Sequence, residues 1–77
     1  MHFDPARLEP GQRYAFQTRE WHGPATAVLA PAIQRRTFLG HCIADDTPCI
    51  AVARATGKTH VIPLASIEAA VPVQYPD

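Results

Sequence analysis

The sequence predicts an all-β domain, and three observations predict it. Prolines recur too often for a long helix, the stretches between them alternate or run apolar as strands do, and turn-forming pairs close those stretches. There are eight prolines, at positions 5, 10, 24, 31, 48, 63, 72 and 76. A proline inside a helix loses a backbone hydrogen bond and clashes with the carbonyl one turn back. The longest proline-free stretch, 32–47, is rich in strand formers and lacks the 3.6-residue apolar repeat of a helix.

The elements follow in order. Residues 1–10 read as a lead-in to a single domain over 11–73, with 74–77 as a tail. Pro10-Gly11 is a turn signal. Gln12 to Thr18 follows as a strand with Tyr14 and Phe16 on one face. Arg19 to Pro24 reads as a loop carrying Trp21, His22 and Gly23. Ala25 to Ile33 suits a strand, although Pro24 could also open a short helix that Pro31 ends. Arg36 to Ala44 is a strand, Asp45-Asp46 a turn and Cys49 to Ala55 the returning strand. Thr56-Gly57 then turns the chain into Lys58 to Pro63.

Two-residue turns at both sites set Cys42 opposite Cys49 and Ala53 opposite His60. Leu39, His41, Ile43, Ile50, Val52, Thr59 and Val61 then share one face. Phe38, Gly40, Cys42, Cys49, Ala51, Ala53, His60 and Ile62 share the other. Both faces are largely apolar, so the meander is expected to be covered on both sides or curled. Leu64 to Ile67 reads as one tight helical turn, and Glu68 to Val71 as the last strand.

Length and charge bound the function. A chain of 77 residues is one domain, and at this size about 60% of the unfolded surface is buried, which leaves stability marginal. Half of the 47% apolar fraction is Ala and Val; large core candidates are Phe3, Tyr14, Phe16, Trp21 and Phe38 with a set of Leu and Ile. A thin core of this kind favours completion by a partner or a second copy. Seven basic and seven acidic side chains cancel. Zero net charge predicts no electrostatic footprint for nucleic acid or an anionic membrane, and lowers resistance to self-association. No apolar run approaches the ~20 residues of a membrane-spanning helix. Met1 to Pro5 lacks the charged and apolar regions of a secretory signal, so the cytoplasm is the expected compartment. Two cysteines fit a reducing one.

Five short strands with a single 3₁₀-like turn before the last is the layout of small SH3-like barrels. Within that layout, Gly11-Gln12-Arg13 followed by Trp21-His22-Gly23, and Ile62-Pro63-Leu64-Ala65-Ser66-Ile67-Glu68 near the end, resemble segments of the plasmid-borne type II dihydrofolate reductases. The resemblance covers about half of the chain. It implies a shared barrel, and a reductase site formed across subunits. The family's pore-lining Val-Gln-Ile-Tyr segment is replaced here by Thr59-His60-Val61-Ile62, so no catalytic residue carries over.

The chemistry-bearing side chains point elsewhere than to catalysis. His41, Cys42, Cys49 and His60 are of ligand type but lack paired zinc-site spacing, and the register spreads them. Cys42 and Cys49 face each other across a two-residue turn, within reach of a disulfide, and would be separated by a four-residue one. A reactive thiol needs a nearby cation or a helix N-terminus, and Asp45-Asp46 oppose it. Those two aspartates read as a solvated turn. No phosphate loop, metal motif or nucleophile elbow is present. No metal and no cofactor is therefore expected.

Aromatic residues with arginines nearby can take a peptide or stack on bases. Tyr14, Phe16, Trp21, Arg35 and Arg36 are accordingly the expected ligand- or partner-binding residues. The expected function is a non-catalytic interaction or regulatory accessory module, a homo-oligomer that also engages a protein partner. A nucleic-acid-binding barrel using Arg35, Arg36, Arg54 and Lys58 is the alternative, and an oligomeric reductase-like enzyme a further one.

Overall fold

A computed structural model describes residues 3–23 and 30–74. The protein is all-β, and its described residues form a single antiparallel sheet of five strands in the order β4-β3-β2-β1-β5. The strands are β1 (Arg13–Thr18), β2 (Ala32–Ala44), β3 (Thr47–Ala53), β4 (Thr59–Pro63) and β5 (Ile67–Pro72). Two 3₁₀ turns, Pro5–Arg7 and Leu64–Ser66, precede β1 and β5. The described strands do not close into a barrel, because β4 and β5 are the two ends of the sheet order. The expected strand over 25–33 falls mainly outside the described residues; its end, Ala32-Ile33, is the start of β2.

The lead-in folds against the sheet. Asp4 Oδ1 accepts a hydrogen bond from the Ala6 N–H at 3.0 Å, and Pro5 supplies the fixed φ of a first helical position. Leu8 is buried and Phe3 packs on the same cluster. Gly11, with φ +88°, makes the reversal into β1 that a side chain would resist.

β2 is the long element, 13 residues, and both halves of the sheet depend on it. Its first half pairs with β1, from Ala32 opposite Thr18 to Thr37 opposite Arg13. Its second half pairs with β3, from Thr37 opposite Ala53 to Ala44 opposite Thr47. Asp45 and Asp46 both adopt positive φ, 49° and 57°. That pair of angles makes the two-residue hairpin turn matching strand twist. Cys42 accordingly lies opposite Cys49, as the turn dipeptide predicts.

Two departures from the predicted register decide which side chains reach the core. A β-bulge between Phe38 and Gly40 leaves Leu39 without a partner and sets Phe38 opposite Val52. A bulge re-aims every side chain beyond it. Phe38 is therefore 1% exposed while Leu39 is 44% exposed, the reverse of the expectation that placed Leu39 with Ile50 and Val52. The second departure is the β3–β4 connection, which is a loop over Arg54 to Lys58 rather than a two-residue turn. Arg54 N donates to Lys58 O at 2.8 Å and Gly57 N to Arg54 O at 2.9 Å. The register shifts by one residue, so Val52 faces His60 and Ile50 faces Ile62. In a strand, a one-residue slip exchanges the two faces, which is why Ile62 joins the core with Ile50.

The resulting core is one cluster of Leu8, Tyr14, Phe16, Phe38, Ile50, Val52, Ile62 and Ile67. Every strand contributes to it, so the sheet coils around its concave face. Cys49 and Pro63, paired across β3 and β4, are also buried, beside the 3₁₀ turn that follows β4. In that turn Ser66 Oγ donates to Pro63 O at 2.7 Å, and Ser66 O accepts from Arg19 N at 2.8 Å. These bonds satisfy a buried hydroxyl and tie the start of β5 to the end of β1.

Phe38→Ala should lower the unfolding free energy by about 3–5 kcal/mol, the range for emptying a buried aromatic site. Leu39→Ala, at the bulge, should cost under about 1 kcal/mol. Urea denaturation of the two variants measures the difference, and equal losses would contradict the bulge.

Candidate functional site

The five residues expected to form a binding surface are divided by the sheet. Tyr14 and Phe16 face inward, 5% and 0% exposed, with ring centroids 5.6 Å apart. The Tyr14 hydroxyl accepts from Glu9 N at 2.8 Å, so its polar end fastens the lead-in. Trp21 is half-buried in the loop after β1, and its indole ring lies over Gly23, where an added Cβ would approach to 3.1 Å. Arg35 is exposed and shares the convex face with Ala15, its partner on β1. Arg36 lies opposite Tyr14 on the concave face.

What the structure brings around Arg36 is a row of cations. Phe38, Val52 and His60 are paired across β2, β3 and β4. The residues two positions away share their face. The register that sets Thr37 against Ala53 carries Arg36 and Arg54 to directly opposite positions. Lys58 follows, bonded through its carbonyl to Arg54 N. The row therefore reads Arg36, Arg54, Lys58, with His60 in the adjoining row. The Arg36 guanidinium is pulled below its ordinary range by burial, then by Arg54 and Arg13. His60 is lowered as well, by burial first and then by Arg36 and Arg54. Arg36 Nη1 donates to Arg35 O at 2.8 Å, while its Nε is buried with no hydrogen-bond partner. Like charges directly opposite in a sheet repel.

Acidic side chains gather elsewhere. Asp4 lies 3.9 Å from Arg7, and Glu20 lies 2.7 Å from His22. A cleft of about 740 Å³ between the lead-in and β5 is lined by Asp4, Glu9 and Glu68 and by Arg7, along with Tyr14 and Pro72. The zero net charge thus conceals a sorting of charge. Arg36, Arg54 and Lys58 stand at the β2–β3–β4 corner, while three carboxylates, with Arg7 beside them, line the β5 side. Sequence reasoning grouped Arg36, Arg54 and Lys58 but not His60 with them, because a two-residue turn would have turned His60 away from Val52.

The sulfur chemistry is quiet. Cys42 and Cys49 are free thiols, the second buried. Burial pushes the Cys49 thiol up, with Cys42 and Asp45 adding to it against a backbone hydrogen bond from Ala44. Its Sγ donates to Thr47 O at 3.3 Å. A thiol held protonated in this way is a poor nucleophile. His41 packs edge-on to Phe38, centroids 5.3 Å apart. Among the described residues no three His, Cys, Asp or Glu side chains gather as a metal site, and no helix is long and apolar enough to cross a membrane.

Comparison with protein-family models, with curated proteins and with solved structures finds no match.

His60 gives a pH prediction. Its folded pKa is lowered from 6.5, so the unfolded chain binds more protons between the folded value and 6.5. Stability then rises with pH through that window and is fully present above 6.5. Acidification from pH 7.5 to 5.5 should lower the melting temperature, and His60→Gln should remove part of that loss. Thermal unfolding followed by circular dichroism at the two pH values checks it; an unchanged pH dependence in the variant would contradict it.

Proposed function

We propose that the protein is a small non-catalytic interaction module of SH3-like build that acts as a homo-oligomer and offers its remaining surface to a partner. Three features support the SH3-like reading: the sheet order β4-β3-β2-β1-β5, the long shared β2, and the 3₁₀ turn directly before the last strand. Fold alone does not fix function, so the oligomeric reading rests on a surface.

That surface is the convex face of β2, β1 and β5. Ile33 is 73% exposed and Val71 is 60% exposed. The register places Gln17 between Ile33 and Ala69, and Ala15 between Arg35 and Val71. Short alanines on β1 and β5 leave the two large apolar side chains standing proud. β5 pairs with β1 on one side and with no described strand on the other. An unpaired edge is a template for another strand. Antiparallel addition of a second β5 about Ala70 sets Ala69 against Val71 and Glu68 against Pro72, with no like charges facing. It also joins the two convex faces into one, with Val71 flanked by Ala69 of the second copy. A zero net charge adds no long-range repulsion between copies. The exposed Val71 on this free edge is the observation that carries the reading.

Light scattering over a wide concentration range tests it. The native mass should be at least twice that of the 8.4 kDa chain, and Ile33→Asp with Val71→Asp should return it to the monomer mass with the far-ultraviolet spectrum preserved. A wild-type chain that stays monomeric throughout overturns the proposal.

A further inference from the structure

We propose that the concave-side row of Arg36, Arg54 and Lys58, flanked by His60, is a binding site for the backbone phosphates of a nucleic-acid strand. The site lies on the face opposite to the self-association surface, so the two readings stand or fall separately.

Arg36 and Arg54 face each other across two strands, and Lys58 stands beyond them. The charges acting on Arg36 and His60 are the arginines Arg13, Arg36 and Arg54. Placing cations side by side costs the fold free energy, and an anion lying along the row removes that cost. Arg54 and Lys58 are exposed, and the Arg54 guanidinium presents its donors as a fork that matches phosphate oxygens, while half-buried Arg36 adds its charge beside them.

The shape of the site selects among anions. Neighbouring strands lie about 4.8 Å apart, so a row crossing β2, β3 and the start of β4 spans roughly 10 Å. One strand of a duplex carries a phosphate about every 3.4 Å of axis, so the row matches a short run of phosphates. A site for one small anion commonly cradles it with successive backbone N–H groups. Here Arg54 N and Gly57 N are already spent within the β3–β4 loop. An acidic peptide would gain most from adding as a strand to the β4 edge. A strand added there would lie beside β4, two strands from β3 and three from β2, out of reach of Arg36. A phosphate chain needs no edge and draws its affinity from released counterions.

Recognition of this kind is independent of base sequence, because phosphate contacts carry no sequence information. With zero net charge there is little long-range steering, so binding is local and strongly limited by salt.

The test is a fluorescence-anisotropy titration of a labelled oligothymidylate with the intact protein at several salt concentrations. Three phosphate contacts predict a slope of log K against log salt near about −2, at roughly −0.7 for each contact to a single strand. Arg54→Gln should flatten the slope by a little under one and weaken binding about tenfold at low salt. Arg7→Gln, on the far side, should change neither. Arg54 is exposed in a loop, so its variant should keep the wild-type circular dichroism spectrum. The monomeric Ile33→Asp, Val71→Asp protein should still bind. Absence of binding at low salt, or Arg54→Gln binding as well as wild type, overturns the proposal. Displacement of the oligonucleotide by an equal charge of polyglutamate would overturn it in favour of an acidic protein partner.

Discussion

Phe38 is held from three directions, and the rest of the sheet is arranged by that hold. Its N–H donates to Gln12 O at 2.9 Å and its carbonyl accepts from Gly11 N at 2.8 Å, which anchors the entry to β1. On its other side it pairs with Val52 across the bulge. Its ring sits in the cluster that joins β1, β3, β4 and β5. Without the bulge, Leu39 would take the inward position and Phe38 would turn outward. The thin core would then lose its largest β2 side chain. Small domains have little core to spare, so this one local irregularity carries a large share of the fold.

The same strand sorts the charges. Because Phe38 points inward, Arg36 two residues earlier points to the same side, at the rim where the core ends. The matched register of β3 and the loop after it then bring Arg54, Lys58 and His60 beside it. The arrangement that packs the core is therefore the one that crowds four basic side chains together. The convex face inherits the complementary set: exposed Ile33 and Val71 over alanines, with Arg35 at their edge. Core, cationic rim and apolar outer face are three consequences of one alternation along β2.

Much of the fold was legible in the sequence because prolines and turn dipeptides act locally. Pro10-Gly11 and Asp45-Asp46 stand at the reversals they predict, and the helical turn before the last strand follows Pro63. What was not legible was non-local or depended on one residue of register. The bulge at Leu39 has one sequence mark, Gly40 inside the strand, but Leu and Phe are equally apolar and only packing chooses which of them points inward. The loop from Arg54 to Lys58 contains Thr56-Gly57, but Gly57 serves there as the positive-φ residue of a longer connection. That difference of register moved Ile62 into the core and His60 beside Val52. Composition alone suits Tyr14 and Phe16 to the core and to a binding surface alike; the alternation along β1 puts both among the buried side chains. The charge balance misled for a simpler reason, because a net sum carries no information about where charges stand.

The sheet's register depends on Phe38 and not Leu39 facing Val52. Nuclear Overhauser contacts between the β2 side chains and the Val52 methyl groups test it most directly. Strong contacts are expected from the Phe38 ring to Val52 and to the His41 imidazole, whose centroid lies 5.3 Å away, and none to Val52 from the Leu39 methyls. Strong Leu39 contacts with Val52, and a Phe38 ring free of it, would contradict the bulge and with it the alignment of Arg36 with Arg54.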